Sequence, residues 1–249
     1  MSSEQQIAIP LSQKPKLSAS LSKFASDFRP VFITFVMIFI VSALFLISSL
    51  IYPHFNDLVV ASGRTPWGVV TSIFAHLGIE HFTVNMTGIF AYFLVFAVCN
   101  SYLSAGEKRQ RITFFIIASF SATVIANLLW VILKPQTKSL GASGLFYACE
   151  GIVMMLALFN GLNLFNLKTF QTRNKFSKIM IECNLLVGMV LILEILVSPS
   201  AFLNVEPGVN AGVHGLAFLL GVVFTAVFIH WTLQKKVNTA EENPLSARA

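Results

Sequence analysis

The chain has 249 residues, of which 55% are hydrophobic and only 11% are charged, and its formal net charge is +6. Charged residues make up about a quarter of an ordinary soluble domain, so this composition excludes that class and indicates an integral membrane protein. The basic residues fall in the pattern expected of membrane topology, which argues against a nucleic-acid partner.

Six apolar segments lie between the charged residues, and each is long enough to cross a bilayer as a helix of about 20 residues. In chain order, we predict transmembrane helices at 31–51, 82–101, 112–133, 143–162, 177–197 and 211–233. We therefore expect an all-α membrane protein with a six-helix domain at 31–235, an N-terminal tail at 1–30 and a C-terminal tail at 236–249.

The basic residues predict the orientation of these helices. If the helices alternate in direction, fourteen of the 17 Lys and Arg residues lie on one side, and only Arg64, Lys134 and Lys138 lie on the other. Because cytoplasmic segments carry an excess of Lys and Arg, we expect both termini to be cytoplasmic. The second, fourth and sixth helices then begin at the outer surface. Short polar tails without a targeting presequence favour a prokaryotic plasma membrane.

The second predicted helix opens with two polar residues, His81 and Asn85. Their i, i+4 spacing places both side chains on one face of the helix. Taken alone, His81 has the simpler interpretation of a histidine at the membrane interface, and Asn85 that of a hydrogen-bond donor between helices.

The fourth predicted helix opens in the stretch "SLGASGLFYACEG", Ser139 to Gly151. Ser143 begins the helix, and Tyr147 lies one turn deeper on the same face. Gly141 and Gly144 let the backbone turn and let a substrate strand approach closely. The first N–H groups of a helix have no acceptor within it, and they attract a developing negative charge. The alternative is a packing motif of small residues, which is common in membrane helices.

The sixth predicted helix contributes His214, eight residues after Glu206 and so within about 12 Å of the outer surface. Taken alone, His214 has the alternative interpretation of a simple contact between helices. Together, however, the three helices bring a hydroxyl, two imidazoles and an amide to one depth, and these are the groups that acyl transfer needs. Polar side chains within a membrane face the bundle interior or a wet cavity. We therefore expect a cavity open to the outside.

Three segments resemble the rhomboid family of intramembrane serine proteases. The stretch "WGVVTSIFAHLGIEHFTVNMTG" (Trp67–Gly88) is similar to the family's first external loop and second helix, with H-x-x-x-N at His81 and Asn85. "GASGLFYACEG" (Gly141–Gly151) is similar to the G-x-S-G-x-x-Y-A element, and "GVHGLAFLLG" (Gly212–Gly221) to the sixth helix.

The resemblance implies roles for most of these residues. Ser143 would be the nucleophile and His214 the general base, a dyad without a carboxylate. His81, Asn85 and the Ser143 N–H would form the oxyanion hole, and Tyr147 would stack on His214. The resemblance also implies that single-span membrane proteins are the substrates, cut near the outer face without a metal or cofactor. The oligomeric state stays open.

The resemblance further implies an external loop, containing Trp67 and His76, that embeds sideways in the outer leaflet, and a fifth helix that acts as a lateral gate. Two positions depart from the pattern: Gly68 stands where bacterial relatives often have arginine, and Ala217 where glycine is common. Ala217 and Gly221 still form a small-xxx-small stripe. Glu150 is unexplained: it either joins helices through its carboxyl group or tunes the dyad.

Two other functions are compatible with these features. The first is a catalytically inactive rhomboid-like protein that binds membrane clients. The second is a small transporter that uses the polar cavity. The three cysteines, Cys99, Cys149 and Cys183, indicate neither a disulfide framework nor a metal site.

Overall fold

The computed structural model of the chain describes residues 17–166, 170–197, 199 and 210–242. The α-helices with described bounds are α1 (Leu17–Asp27), α2 (Arg29–Ile51), α3 (Phe55–Val59), α4 (Gly68–Thr71), α5 (Ile79–Cys99), α6 (Ala105–Leu133), α7 (Ser143–Leu162), α8 (Lys175–Val197) and α9 (Ala211–Glu242). Six of them, α2 and α5 to α9, are long and apolar enough to cross a membrane. The part of the chain that is described contains no β-strand. The prediction of an all-α, multi-pass membrane protein with six spans is confirmed.

The helix ends depart from the predicted ones where polar residues extend a helix beyond its apolar part. Helix α6 begins seven residues before position 112, because Ser104 and Glu107 form a capping box in which each side chain binds the other residue's backbone N–H. Helix α9 continues through Glu242, past the predicted end at 233. Within the predicted N-terminal tail the structure has helix α1. Residues 1–16, 200–209 and 243–249, which include parts of both predicted tails and Glu206, lie outside the described residues.

Helix α7 lies at the centre of the bundle. About two thirds of its span is buried (67%), against 22% for both α2 and α8, and it packs against α5, α6, α8 and α9. Small residues allow the closest approach, to α9: a Cβ atom at Gly151 would lie 2.4 Å from the Phe218 carbonyl oxygen, and one at Gly221 would lie 2.6 Å from that of Ala148. Ala217 is fully buried in the same interface. This central position makes α7 a rigid support for its first residue, Ser143.

A loop of short helices, residues 52–78, connects α2 to α5 and contains both Trp67 and His76. Trp67 Nε1 donates to the Leu58 carbonyl oxygen at 2.7 Å, and Thr71 Oγ1 donates to that of Val59 at 2.8 Å. The loop exposes large apolar side chains, namely Leu58, Trp67, Val70 and Leu77. Exposed apolar patches of this kind mark a surface that meets membrane or protein.

Gly68, one of the two positions that depart from the expected pattern, packs directly against backbone. A Cβ atom at Gly68 would lie 2.0 Å from the Val60 carbonyl oxygen and 2.7 Å from the Cα atom of Ala61. Backbone cannot move away as a flexible side chain can, so no larger residue fits there. The loop is anchored by this close backbone packing together with the hydrogen bonds from Trp67 and Thr71.

A polar cluster at the end of the bundle away from the 52–78 loop joins four helices. Arg111 of α6 donates to the Asn100 and Asn160 side-chain oxygens at 2.8 and 2.7 Å. Asn160 in turn donates to the Asn184 oxygen at 3.0 Å, and Asn184 donates to the Cys99 carbonyl at 2.9 Å. The ends of α5, α6, α7 and α8 are thus held together by polar groups whose hydrogen bonds are satisfied within the protein.

Candidate active site

Ser143 is positioned by the turn that precedes α7. Gly141 has φ of +117°, a conformation that glycine adopts without strain. Its N–H donates to the Ser72 carbonyl oxygen at 2.9 Å, which ties the turn to the 52–78 loop. The turn leaves Ser143 as the first residue of α7, buried within the protein. The Ser143 N–H therefore has no acceptor within the helix.

His214 lies in the first turn of α9 and meets Ser143 directly. Its Nε2 atom is 2.7 Å from the Ser143 Oγ atom, and both residues are buried. The Tyr147 ring stacks on the imidazole, with 4.5 Å between ring centroids and 29° between planes. The predicted meeting of hydroxyl and imidazole, and the stacking of Tyr147, are both present in the structure.

Asn210, which the sequence analysis did not single out, caps the helix that carries His214. Its side-chain oxygen accepts from the Gly212 N–H at 3.1 Å, and its backbone oxygen accepts from the His214 N–H at 3.3 Å. Asparagine is among the preferred residues at a helix N-cap, and its position just before α9 is the signal that could have identified it.

His81 lies against the turn that contains Gly141. A Cβ atom at Gly141 would lie 2.7 Å from His81 Cε1 and 3.6 Å from the Ser143 Oγ atom, so the imidazole and the hydroxyl both lie beside Gly141. The Leu77 N–H donates to His81 Nδ1 at 3.4 Å. A neutral imidazole that accepts at Nδ1 carries its proton on Nε2. His81 thus offers a donor beside Ser143.

Asn85 is buried one turn further along α5, at 5% exposure. Among the described residues, its side-chain nitrogen Nδ2 has no hydrogen-bond partner. Burying an unpaired amide donor is unfavourable by about 1–3 kcal/mol, so native proteins rarely keep one without a use for it. This donor is available to a bound molecule.

Gly144 lies where α7 meets two neighbouring helices. A Cβ atom there would lie 3.0 Å from a Thr123 side-chain carbon and 3.4 Å from one of Val213. Gly144 therefore faces the neighbouring helices α6 and α9 and lets them pack closely. In the turn before Ser143, the residue with a positive φ is Gly141.

The 52–78 loop places a second histidine, His76, next to His81, with 5.5 Å between ring centroids. Burial, together with the charge of His81, lowers the pKa of His76 to about 4. Its Nδ1 atom is 3.1 Å from the Phe74 carbonyl oxygen, which a proton on Nδ1 would bind. His76 is therefore neutral near pH 7 and adds no charge beside His81.

Ser72 and Asn127 extend the site in a way that the sequence did not indicate. The Asn127 Nδ2 atom donates to the Val69 carbonyl oxygen at 3.1 Å and to the Ser72 hydroxyl at 3.3 Å. Ser72 also accepts the Gly141 N–H through its backbone oxygen. A chain of contacts thus joins α6, the 52–78 loop and the turn before Ser143. An amide within an apolar span was the available signal for Asn127.

Glu150 is buried two turns along α7 from Ser143, at 2% exposure. Tyr92 of α5 and Glu194 of α8 both lie near enough to act on its carboxyl group electrostatically. These neighbours on two other helices favour the interpretation that Glu150 joins helices through its carboxyl group.

The site therefore combines a hydroxyl in contact with an imidazole, a helix N-terminus, and N–H donors on Asn85 and His81. These are the components of acyl transfer.

No curated protein matches the chain. The family model described as Rhomboid domain matches residues 63–234. This range begins in the 52–78 loop and ends within α9. Members of that family act on transmembrane substrates within the bilayer, and most of them are serine proteases. The match covers well over half of the chain, which therefore belongs to the rhomboid family.

Proposed function

We propose that this protein is an active intramembrane serine endopeptidase that cleaves single-span membrane proteins near the outer face of the membrane. The observation that carries the proposal is the 2.7 Å contact between the Ser143 Oγ and His214 Nε2 atoms in a buried site. A serine hydroxyl becomes an effective nucleophile when a neighbouring base accepts its proton, and a neutral imidazole is a suitable base near pH 7.

In the first half of the reaction, His214 Nε2 takes the Ser143 proton as Oγ attacks the carbonyl carbon of the scissile bond. The carbonyl oxygen becomes an oxyanion, which accepts hydrogen bonds from the Ser143 N–H, Asn85 Nδ2 and His81 Nε2. The buried Asn85 Nδ2 atom, which has no hydrogen-bond partner among the described residues, supports this role. The C–N bond then breaks, the amine leaves with the proton from His214, and an acyl-enzyme remains.

In the second half, water from the outer side attacks the acyl-enzyme while His214 again accepts a proton. The ester bond breaks, the proton passes from His214 to Ser143 Oγ, and the product leaves as a carboxylic acid that releases its own proton to water. In a dyad without a carboxylate, other groups must orient the imidazole. Stacking by Tyr147 and the capping of α9 by Asn210 supply that orientation. All the groups in this scheme belong to the protein, so the proposed reaction needs no metal or cofactor.

The substrate must expose a peptide bond that its own helix normally hides. Local unwinding is easier near Gly, Pro or polar residues at the outer end of a transmembrane segment. Helix α8 is among the least buried of the spans, which supports its proposed role as the lateral gate for entry. We also propose a prokaryotic plasma membrane, with both termini cytoplasmic and no nucleic-acid partner.

Co-expression with a panel of tagged single-span membrane proteins tests the proposal. We expect the wild-type protein to cut at least one of them near the outer end of its span, and both Ser143→Ala and His214→Ala to leave every substrate intact. Tyr147→Phe, which keeps the stacking ring, should retain cleavage and serves as the matched control.

Labelling with a fluorophosphonate probe separates the protease from an inactive family member. The purified, folded wild-type protein should be labelled at Ser143, and Ser143→Ala should not be. Absence of labelling in folded wild-type protein would instead support a client-binding protein. A solute flux that survives Ser143→Ala would support a transporter.

A further inference from the structure

A groove opens at the end of the bundle opposite Ser143, between the junction of α1 with α2 and the first turns of α6. Its volume is about 480 Å³, within the range of cavities that hold small ligands. The groove is lined by Ser26, Asp27, Pro30, Ala105, Lys108, Arg109, Ile112, Thr113, Ile116 and Ile117. None of these residues takes part in the proposed reaction.

The rim of the groove carries one uncompensated positive charge. Lys108 Nζ is 2.6 Å from the Asp27 carboxylate, so these two charges neutralise each other. Arg109 makes no ion pair or hydrogen bond with any residue in the described part of the chain. The groove therefore has a net charge of +1, located at Arg109, and an anion is the complementary ligand.

Polar and apolar groups follow one another along the groove. Ser26 and Thr113 line the same groove as Arg109, and within the described ranges their hydroxyls have no hydrogen-bond partner. Ile116 follows Arg109 by seven residues, or about 11 Å along the helix axis. Ile112, Ile116 and Ile117 then form an apolar wall that continues into the membrane span of α6. A ligand that fills the groove must be anionic at one end and apolar along the rest of its length.

We propose that this groove binds one anionic phospholipid. The phosphate lies at Arg109 and the two hydroxyls, and an acyl chain runs along the isoleucine wall. Basic pockets between transmembrane helices are known to hold lipid headgroups. Inorganic phosphate shares the anionic chemistry but would leave the apolar wall without a partner. The lipid is therefore the ligand that uses both parts of the groove.

Native mass spectrometry of the full-length protein in detergent tests the proposal. The protein is incubated separately with phosphatidylglycerol, phosphatidylcholine, diacylglycerol and inorganic phosphate at equal concentrations, and bound molecules are counted. We expect the wild-type protein to retain one phosphatidylglycerol in preference to the other three. Arg109→Gln should weaken phosphatidylglycerol retention about fivefold, the effect of one basic residue at a membrane surface.

Two further variants keep the test specific. Lys175→Gln removes an exposed cation at the start of α8, outside the groove, and should leave lipid retention unchanged. Thr113→Trp fills the groove and should reduce retention of the lipid without abolishing the thermal unfolding transition. The proposal is overturned if Arg109→Gln and Lys175→Gln retain phosphatidylglycerol as well as the wild type does, or if inorganic phosphate binds as tightly as the lipid.

Discussion

At the scale of single residues, Asn85 gives the clearest separation of activity from stability. Its buried Nδ2 atom has no partner in the described part of the chain, so removing it deletes no hydrogen bond of the folded protein. In another serine protease, loss of one side-chain donor to the oxyanion lowers kcat by about 10²–10³-fold. We expect a loss of that order in Asn85→Ala, measured as turnover of a fluorogenic transmembrane substrate, with unchanged KM.

Thermal unfolding of the same variant supplies the complementary measurement. We expect the midpoint of Asn85→Ala to equal or exceed that of the wild type, because a buried amide without a partner is unfavourable in the folded state. Thr83→Ala is the matched control, since Thr83 is exposed on the same helix and its hydroxyl binds only the Ile79 carbonyl oxygen. Normal turnover combined with a lower midpoint in Asn85→Ala would assign Asn85 a structural role instead.

Residue types and their depth in the chain were sufficient to predict the pairing of Ser143 with His214, because intramembrane polar groups have few partners available. They were not sufficient to predict the role of Ser72, whose backbone oxygen fixes the turn at Gly141. That contact depends on where the 52–78 loop folds, and a serine in an irregular segment carries no periodic signal. Asn127 was missed for a similar reason, since its partners lie in the 52–78 loop. Asn210 was missed although its bonds are local, because a capping residue is recognised only once the start of its helix is known.

At the scale of structural elements, the 52–78 loop should be sensitive to acid through His76. Its folded-state pKa is lowered to about 4 by burial and by the charge of His81. In the unfolded chain the pKa is about 6.5, so between these values the unfolded state binds more protons and stability falls as the pH is lowered. Between pH 7 and pH 5 we expect His76 to account for a loss of about 2 kcal/mol in the free energy of unfolding.

Reversible unfolding in mixed micelles at both pH values measures this loss. His76→Gln should show a smaller difference between pH 7 and pH 5 than the wild type. His54→Gln, which changes a histidine whose side chain is 77% exposed, should show the wild-type difference. Equal pH dependence in all three proteins would contradict the prediction.

The polar cluster at the other end of the bundle is a second element whose stability can be tested. Asn160→Leu would remove one of the two side-chain acceptors of the Arg111 guanidinium, leaving only Asn100 among the described residues, and would deprive the Asn184 side-chain oxygen of its donor. We expect a decrease of about 1–3 kcal/mol in the free energy of unfolding. Asn163→Leu is the control, because the side chain of Asn163 donates only to nearby backbone carbonyls, and it should change stability less.

The long helices were predictable as elements because a span needs an uninterrupted apolar run, whatever it packs against. The capping box at Ser104 moved the start of α6 into a polar segment that hydropathy does not cover. The short helices α3 and α4 have five and four residues, too few to show a helical period. The Gly68 packing depends on a backbone neighbour eight residues away, which no local pattern indicates.

At the scale of the whole molecule, the distribution of Lys and Arg predicts that the Ser143 end of the bundle faces away from the cytoplasm. Single cysteines in a background without Cys99, Cys149 and Cys183 test this orientation. We expect Arg64→Cys to react with a membrane-impermeant maleimide in intact cells, and Arg173→Cys to react only after the cells are permeabilised. The reverse result would place both termini outside and the site on the cytoplasmic side.

The paired backbone groups of Ala61 and Ser139 link the 52–78 loop to the segment just before the nucleophile. The Ala61 N–H donates to the Ser139 oxygen at 2.9 Å, and the Ser139 N–H donates to the Ala61 oxygen at 3.0 Å. Peptide groups make these bonds whatever side chains they carry. Homologous sequences should therefore show few insertions or deletions between 61 and 68 or between 139 and 143, since a change in spacing would shift the serine away from the histidine.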